Sequence, residues 1–230
     1  MTSLRTTAVI PAYNCEKTIA LVVKGVQPQG LDVVVIDDGS TDATCDAAEA
    51  AGARVVRHPA NRGKGHALVT GFKHVLSNGG GAVLTLDADG QHDPEDLPRL
   101  LEHLSTADLI IGRRQLDLEL MPRASFVGNC ISTFFISLFC GKHFPDTQCG
   151  YRIYSDRMLR ALPLRGGRFE TETELLMRAS LLGLTIKWVR VETLYDNGIT
   201  PHRTNFHNLY DTLRVIRVVL RSPRFPRGQA

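Results

Sequence analysis

Residues 32–40 read DVVVIDDGS, an apolar, β-branched run that ends in two carboxylates, a glycine and a serine. A continuous run of this kind is typical of a strand that is buried on both faces. Similar runs alternate with helical stretches through the first half of the chain. The alternation predicts an α/β domain with a largely parallel central sheet. We expect strands at 6–10, 32–36, 54–57, 82–86 and 109–111 and helices at 16–26, 43–51, 65–77 and 94–104.

The composition of the chain fits one compact globular domain. Its 230 residues are 43% hydrophobic and 22% charged, with a formal net charge of +3, which argues against disorder and repeat arrays. The basic excess is too small to indicate a nucleic-acid partner. Arginine outnumbers lysine by 21 to six. Because the guanidinium group suits phosphate and carboxylate, we expect anionic ligands.

The cysteines and the N-terminus indicate the cellular compartment. The five cysteines show no zinc-ligand spacing, and we expect reduced, mostly buried thiols rather than disulfides. The first predicted strand begins a few residues after Met1, which leaves no room for a signal peptide. The cytoplasm is therefore the expected location.

The second half of the chain is less regular than the first. Residues 124–141 carry no formal charge. Their small polar side chains fall on one helical stripe and their large apolar side chains on another, which predicts an amphipathic helix rather than a membrane span. A core-packing helix and a membrane-surface helix are equal alternatives. We also expect a strand within 185–194 and a helix near 206–220.

Polar motifs follow the predicted strands, at the edge where parallel α/β sheets bind ligands. They are PAYN at 11–14, DDGSTD at 37–42, DADGQ at 87–91 and GRR at 112–114. The sequence contains no G-x-G-x-x-G after the first strand and no G-x-x-x-x-G-K-[ST] anywhere. These absences weigh against dehydrogenases and P-loop enzymes.

The motif at 87–91 is the sharpest signal for chemistry. Asp87 and Asp89 are two residues apart, so a strand that turns into a loop can direct both carboxylates at one hard cation. Gln91 offers a neutral carbonyl oxygen two residues further on. Such a cation, Mg²⁺ or Mn²⁺, completes its coordination shell with substrate phosphates. The simpler alternative is an acidic turn in which Asp93 caps the next helix.

Three further groups are candidates for binding a nucleotide, with ordinary turns and solvated side chains as the alternatives. The carboxylates of Asp37 and Asp38 suggest hydrogen bonds to a base or a ribose. Residues 61–65 (NRGKG) place Lys64 at a helix start, which forms a cradle for phosphate. Three arginines that flank the acidic site in the sequence could face a diphosphate: Arg113, Arg114 and Arg123.

Two other features are interpreted as structural. Cys149 lies in the polar loop 146–152 (DTQCGYR), where the sequence pairs it with no base, so a structural thiol is expected. Glu170, Glu172 and Glu174 begin a helix. The N-terminus of a helix favours acidic side chains, and this effect accounts for at least two of the three.

Four motifs, in this order and spacing, resemble the family 2 glycosyltransferases with the glycosyltransferase A-type nucleotide-sugar fold. They are VIPAYN at 9–14, VIDDGSTD at 35–42, NRGKG at 61–65 and LDADGQ at 86–91. Within the family, the loop 146–152 and the segment 169–176 (FETETELL) look like dolichyl-phosphate mannosyltransferase and its bacterial polyprenyl-phosphate relatives. The resemblance implies a metal-dependent, inverting transfer of a hexose from a nucleotide diphosphate sugar (GDP-mannose or UDP-glucose) to a polyprenyl or dolichyl phosphate.

The resemblance also implies roles for individual residues. The catalytic residues would be Asp89, Arg114 and Arg203. The ligands of Mg²⁺ or Mn²⁺ would be Asp87, Asp89 and Gln91. The donor-binding residues would be Pro11, Tyr13, Ile36, Asp38, Asp87, Ala88, Arg114 and Arg203. Lys64 joins them because of its place in the phosphate-binding loop predicted at 61–65.

The resemblance covers nearly the whole chain. It departs at Cys15, which replaces an acidic residue, and at Asn197, which replaces a phosphate-contacting arginine. The C-terminal membrane spans of many relatives are missing from the sequence. Three alternatives follow for a cytoplasmic protein: it relies on a membrane-anchored partner, it acts peripherally on the inner membrane surface, or it uses a soluble acceptor. The implied organisation is one catalytic domain at 1–221, with a nucleotide-sugar half at 1–114, an acceptor half at 115–221 and a loose basic tail at 222–230.

Three other functions fit part of the pattern. A family 2 glycosyltransferase can use a sugar or small-molecule hydroxyl as its acceptor. A nucleotidyltransferase also combines an α/β sheet with acidic metal ligands, but it needs a glycine-rich basic loop that residues 11–14 do not supply. A non-catalytic sugar-nucleotide or lipid-binding module would carry an incomplete acidic motif, whereas 87–91 is complete.

The two acceptor classes differ in the chemistry that they require. A hydroxyl needs a general base, whereas a phosphate monoester, with a second pKa of about 6, is already anionic near neutrality. A phosphate acceptor therefore predicts no essential base among Asp146, Glu172 and Glu174. It predicts instead a need for positive charge from Arg114, Arg123, Arg152, His202 and Arg203.

Overall fold

The computed structural model describes residues 5–115, 123–167 and 170–194. Within these residues, seven strands form one sheet. They are β1 (Thr6–Ala12), β2 (Asp32–Asp37), β3 (Arg54–Arg57), β4 (Ala82–Thr85), β5 (Leu109–Arg114), β6 (Arg152–Tyr154) and β7 (Ile186–Val191).

The same residues contain seven α-helices and two short 3₁₀ turns, the latter at Gln27–Gln29 and Pro94–Asp96. The α-helices are α1 (Ile19–Val26), α2 (Thr44–Ala50), α3 (Lys64–Ser77), α4 (Leu97–Leu101), α5 (Arg123–Cys140), α6 (Asp156–Ala161) and α7 (Glu170–Leu181).

The strands are ordered β3-β2-β1-β4-β6-β5-β7 across the sheet. β1 pairs in parallel with β2 and β4, β2 with β3, and β5 with β7. β6 is antiparallel to both of its neighbours, β4 and β5. The sheet is therefore mixed but largely parallel, as predicted, and the carboxyl ends of β1, β2 and β4 point to the same edge.

The centre of the sheet is covered on both faces. Every residue of β1 and β4 is buried. Because side chains alternate between the two faces of a strand, packing must be present on each side. Helix α3 supplies part of this cover, since it packs across β1 and β2. Gly71 of α3 permits a close approach, because a Cβ at this position would overlap Val9 Cγ1 of β1.

Most predicted elements are present with shifted ends. β1, β2 and β5 run further than predicted, and the helix expected from residue 16 begins at Ile19. The helix expected at 94–104 is a 3₁₀ turn followed by the short α4. The sequence analysis does not predict β6 or α6. The edge strand β3 is not buried on both faces, because its two ends are exposed and its centre is half-buried.

The five cysteines are free. Cys140 and Cys149 are buried, Cys15 and Cys45 are half-buried, and Cys130 is exposed. The expectation of mostly buried thiols is therefore wrong for three of the five positions. Cys130 lies on α5, whose outer face is open to solvent.

Helix α5 is amphipathic as predicted, but its apolar stripe faces away from the protein. The exposed side chains, called here the α5 apolar face, expose 39% to 65% of their surface: Val127, Ile131, Phe134, Phe135 and Leu138. The polar stripe is turned inward, where Asn129 and Ser132 are buried. Thr133 Oγ1 lies 2.9 Å from Thr147 Oγ1, within hydrogen-bond distance. Among the described residues, no helix is both long and apolar enough to cross a bilayer.

The close packing of α3 on β1 can be tested by replacing Gly71 with Val. Overfilling a packed core costs about 1–3 kcal/mol, so the variant should lose roughly 2 kcal/mol of its free energy of unfolding in urea. Lys73→Val on the exposed side of α3 is the matched control and should cost less than about 0.7 kcal/mol, the range of helix propensity. Equal losses in the two variants would contradict the close approach at Gly71.

Candidate active site

The loops that follow β1 and β2 are tied together by hydrogen bonds. The backbone N–H of Asn14 donates to Ser40 Oγ at 2.9 Å, and the backbone N–H of Thr41 donates to Asn14 Oδ1 at 2.9 Å. Asn14 adopts a left-handed φ of 51°, a conformation that asparagine tolerates better than most residues. The two loops therefore form one connected surface at the carboxyl edge of the sheet.

The four residues expected to line a nucleoside pocket lie at this edge. Pro11 and Ile36 are neighbours across β1 and β2 and are buried. The backbone N–H of Asp38 donates to the carbonyl oxygen of Ala12 at 2.8 Å. Tyr13 is 48% exposed, so it offers the largest open surface of the four. Their contact with a nucleoside stays a prediction.

The carboxylate of Asp38 shapes the loop at 61–65. Asp38 is 3% exposed, and its Oδ1 lies 2.7 Å from His58 Nδ1. Its Oδ2 accepts the backbone N–H of Gly63 at 2.7 Å, and the backbone N–H of Arg62 reaches both oxygens at 3.0 and 3.1 Å. Asp38 thus holds the backbone from which α3 begins. A nucleoside that binds the Asp38 carboxylate would share it with the backbone N–H groups of Arg62 and Gly63.

Lys64, the first residue of α3, connects the acidic loop at 87–91 to helix α7. Its Nζ lies 2.6 Å from Asp87 Oδ1 and 2.9 Å from Glu172 Oε2. The sequence predicts Lys64 as a phosphate ligand and Glu172 as a helix-stabilising acid, but the structure joins them in one ion-pair network. No local pattern signals this pairing, because the three residues are far apart in the sequence.

Asp87 is also packed tightly against its other neighbours. A Cβ at position 150 would lie 2.6 Å from Asp87 Oδ2, so Gly150 provides the space that this carboxylate occupies. His92 Nε2 lies 3.6 Å from the same oxygen. The ring of His92 packs on Tyr151, with 4.9 Å between the ring centroids. The contacts of His92 and Tyr151 at this site are not predicted from the sequence, although His92 directly follows the acidic motif.

The carboxyl groups of the acidic loop differ in their affinity for protons. Burial would raise the pKa of Asp87, but Lys64 and His92 together outweigh burial and hold the pKa well below its usual range. Burial, together with the Asp87 carboxylate, raises the pKa of Asp89. Burial would lower the pKa of Lys64, but Asp87 and Glu172 raise it overall. Lys64 and Asp87 are therefore a fully charged pair at neutral pH.

The oxygen atoms of the acidic loop fit a hard divalent cation. Asp89 and Gln91 are half-buried, and the Gln91 backbone N–H donates to Asp89 Oδ1 at 3.0 Å. Thr18 Oγ1 donates to the carbonyl oxygen of Ala88 at 2.6 Å and fixes the loop. Among the described residues, no three His, Cys, Asp or Glu side chains form a ready metal cage. A cation here would rely on few protein oxygens and on substrate phosphates, as Mg²⁺ commonly does.

Arg114 forms a bidentate ion pair with Asp146. Its Nε donates to Asp146 Oδ2 at 2.8 Å and its Nη2 to Oδ1 at 3.1 Å. Asp146 is 2% exposed. Burial would raise its pKa, but Arg114 and the backbone N–H groups that donate to the carboxylate together lower it. The Asp146 carboxylate also accepts the backbone N–H groups of Gln148 and Cys149, so it anchors its own loop while it orients Arg114.

Two residues of the loop 146–152 have structural roles. Arg152, which the phosphate-acceptor argument offers as a source of positive charge, is 1% exposed. Its guanidinium donates to the carbonyl oxygens of Thr147, Cys149 and Glu172, so the prediction of an acceptor-binding role is wrong. Burial raises the pKa of the Cys149 thiol to about 12, which confirms the interpretation of an unreactive structural cysteine.

Several expectations concern residues outside the part of the chain that the structure describes. They are Arg203, His202, Asn197, the side chain of Arg123, the helix near 206–220 and the tail 222–230. The implied roles of these residues and the domain boundary at 221 stay predictions.

A family comparison identifies the chain. The profile of the family described as Glycosyl transferase family 2 matches residues 7–162, more than half of the sequence. The chain belongs to glycosyl transferase family 2. It is a glycosyltransferase, and this membership argues against the nucleotidyltransferase and non-catalytic alternatives.

Two relatives carry names that specify a substrate. One is the UDP-N-acetylglucosamine–dolichyl-phosphate N-acetylglucosaminyltransferase of Methanococcus voltae, 31% identical over 222 residues, which covers 86% of this chain and 88% of the relative. The other is the undecaprenyl-phosphate mannosyltransferase of Micrococcus luteus, 34% identical over 172 residues, which covers 70% of each chain. Both are proteins to which this glycosyltransferase is similar.

Solved structures of a glycosyltransferase superpose on this chain and share its fold. The glucosyl-3-phosphoglycerate synthase of Mycobacterium tuberculosis in complex with UDP superposes with a TM-score of 0.74 at 25% identity, covering 94% of this chain and 79% of that chain. A complex of the same synthase with Mn²⁺, UDP and phosphoglyceric acid gives a TM-score of 0.72 at 26% identity, covering 94% and 76%. The fold of this glycosyltransferase is the predicted A-type.

The buried pair of Arg114 and Asp146 predicts a pH-dependent loss of stability. In the folded state the Asp146 pKa is lowered, so the contribution of the pair is present above the unfolded pKa of about 3.9 and is lost as pH falls through the folded value. Asp146→Asn should therefore lower the free energy of unfolding at pH 7 by about 3–5 kcal/mol, the cost of breaking a buried pair.

The measurement is denaturant unfolding of both proteins at several pH values. The difference between them should shrink progressively below pH ~4, where the wild-type carboxylate begins to take up its proton. Glu174→Gln, which removes the partner of Arg178 within α7, is the control for loss of a local pair. A difference that does not change with pH would contradict the charge-based account.

Proposed function

We propose that this glycosyltransferase transfers a hexose from a nucleotide diphosphate sugar to the phosphate of a polyprenyl phosphate, with inversion at the sugar carbon and with Mg²⁺ or Mn²⁺ as the metal. The observation that carries the proposal is the pair of carboxylates, Asp87 and Asp89, at the carboxyl edge of the sheet beside Lys64. The names of the two relatives support a polyprenyl-type lipid phosphate as acceptor. The proposed donor is GDP-mannose or UDP-glucose.

The acidic loop is proposed to hold the cation through Asp89 and Gln91, with Asp87 next to them. When bound, such a cation supplies the positive charge that stabilises the leaving diphosphate. The chain itself binds and orients the donor, with Tyr13 as the open surface for the base and Lys64 and Arg114 as cations near the diphosphate. The complex of the structural neighbour with Mn²⁺ and UDP supports the use of a divalent cation together with a nucleotide.

The carboxylates of the acceptor half support a phosphate acceptor. A hydroxyl acceptor needs a general base, and the candidates are Asp146, Glu172 and Glu174. Each of these is held by a cation in the structure, namely Arg114, Lys64 and Arg178 in turn. The lowered pKa of Asp146 makes that carboxylate a poor proton acceptor. A phosphate that is already anionic needs only positive charge and orientation, for which Arg114 and Arg203 are proposed.

The α5 apolar face is proposed to rest on a membrane surface. It consists of large apolar side chains on one exposed side of a helix whose opposite side is hydrogen-bonded to Thr147. Thr147 adjoins Asp146, the partner of Arg114. The face therefore lies on the helix that contacts the proposed acceptor loop, and we propose a peripheral location on the cytoplasmic surface of a membrane.

The proposed reaction is tested by a transfer assay with the purified protein and Mn²⁺ or Mg²⁺. The donors are GDP-mannose, UDP-glucose and UDP-N-acetylglucosamine, and the acceptors are a short polyprenyl phosphate and 3-phosphoglycerate. We expect transfer to the lipid phosphate, abolished by EDTA. Asp89→Asn should reduce kcat by about 100- to 1,000-fold, as expected when charge stabilisation is lost.

Asp93→Asn is the matched control, since Asp93 caps the following 3₁₀ turn from the same loop and should retain activity. Transfer to 3-phosphoglycerate alone would favour the hydroxyl-acceptor alternative. Full activity of Asp89→Asn in EDTA would remove the metal from the proposal.

The membrane proposal is tested by co-sedimentation with anionic vesicles. The wild-type protein should bind, and binding should weaken with salt because the Debye length falls from about 10 Å at 0.1 M to about 3 Å at 1 M. The double variant Phe134→Ser/Leu138→Ser should bind at least about tenfold more weakly, because each apolar side chain contributes roughly 1.5–3 kcal/mol when buried.

Leu21→Ser is the control for the vesicle experiment, because Leu21 is also 51% exposed but lies on α1. It should bind as the wild type does. Absence of binding at every salt concentration, or equal loss in both variants, would favour a soluble acceptor and a different role for α5.

A further inference from the structure

A line of charged side chains connects the acceptor half of the chain to the acidic loop. Arg152 Nε of β6 lies 3.9 Å from Glu172 Oε1, and Glu172 Oε2 lies 2.9 Å from Lys64 Nζ. Lys64 Nζ in turn lies 2.6 Å from Asp87 Oδ1. These ion pairs therefore connect four elements next to Asp89: β6, α7, α3 and the loop after β4.

Glu172 is almost entirely buried. It is 8% exposed, and its backbone carbonyl oxygen accepts a hydrogen bond from Arg152 Nη1 at 3.0 Å. Within the described residues no hydrogen-bond donor reaches its Oε1. Burying a carboxylate with one oxygen unsatisfied costs stability. Because a helix-stabilising acid can remain in solvent, this burial points to a role that requires the charge beside Lys64.

The charge balance of the network shows what Glu172 contributes. The network contains three carboxylates (Asp87, Asp89 and Glu172) and two cations (Lys64 and Arg152), so its formal net charge is −1. Removing the charge of Glu172 would leave the network with no net negative charge. The Coulombic attraction between the network and a divalent cation would therefore fall.

We propose that Glu172 is a positioning residue for the cation site. By offsetting the charge of the Lys64 ammonium beside Asp87, it sets how tightly the acidic loop binds a divalent cation. This inference rests on the proposed function, because it takes the cation to be held by Asp89 and Gln91. It adds a residue of the acceptor half to the control of a site in the donor half.

The test is the affinity of the full chain for Mn²⁺ alone, measured without donor by the electron paramagnetic resonance signal of free Mn²⁺. Glu172→Gln keeps the shape of the side chain and removes its charge, so the Kd should rise about 10- to 100-fold, as for other partners of metal ligands. Lys64→Met removes the ammonium, so the Kd should fall, by roughly tenfold if the network acts through charge. The double variant Glu172→Gln/Lys64→Met restores the charge balance and should return the Kd close to the wild-type value.

The control is Glu174→Gln, the same change two residues away on α7, where the partner is Arg178. Its Kd should equal that of the wild type. An unchanged Kd in Glu172→Gln would overturn the proposal. A higher Kd in Lys64→Met would also overturn it, because a purely structural network loses affinity for Mn²⁺ in both variants. If thermal melting shows that Glu172→Gln does not fold, the sign of the Lys64→Met effect decides.

Asp89→Asn separates this inference from the proposed function. Loss of Mn²⁺ binding in Asp89→Asn, with no effect in Glu172→Gln, would leave the metal site in place and reject the role of Glu172. Wild-type Mn²⁺ binding in Asp89→Asn would reject the metal site itself. Glu172→Asp, which retains the charge, should give a Kd between those of the wild type and Glu172→Gln.

Discussion

Burial of carboxylates at one edge of the sheet is the constraint on which the site depends. Asp37, Asp38 and Asp146 are each no more than 3% exposed, and a charge removed from water must find a partner. Asp37 lies 3.1 Å from Arg57, Asp146 is paired with Arg114, and Asp38 accepts backbone N–H groups of the 61–65 loop. Because each partner comes from another element, pairing the charges also fixes the loops relative to one another.

The sequence predicts the parallel part of the fold well, because local patterns determine those strands. An apolar β-branched run such as that of β2 needs no knowledge of its neighbours to be recognised. β6 is different, since Arg152–Tyr154 is three residues long and is defined by antiparallel pairing with β4 and β5. Its inward Arg152 also reads as a surface cation in the sequence, whereas the fold encloses it among carbonyl oxygens.

The sequence locates the candidate site but not the partners within it. The acidic loop and the 61–65 loop are predictable because each follows a strand, and ligands bind at the carboxyl ends of parallel strands. The ammonium of Lys64, predicted to face phosphate, lies instead between Asp87 and Glu172. The position of Glu172 depends on how α7 packs beside α3, and no local pattern encodes that contact.

Helix α5 shows why an amphipathic pattern does not by itself say which face is inside. Its polar face meets a polar loop, in which Asp146 collects the backbone N–H groups of Gln148 and Cys149. Thr133 pairs with Thr147 of that loop, so the apolar side chains are left outside. The same loop orients Arg114 through Asp146. The polar packing of α5 therefore places the α5 apolar face and the Arg114 guanidinium on adjoining parts of the structure. An acceptor with an anionic head and an apolar chain would have a complementary group for each of its two parts.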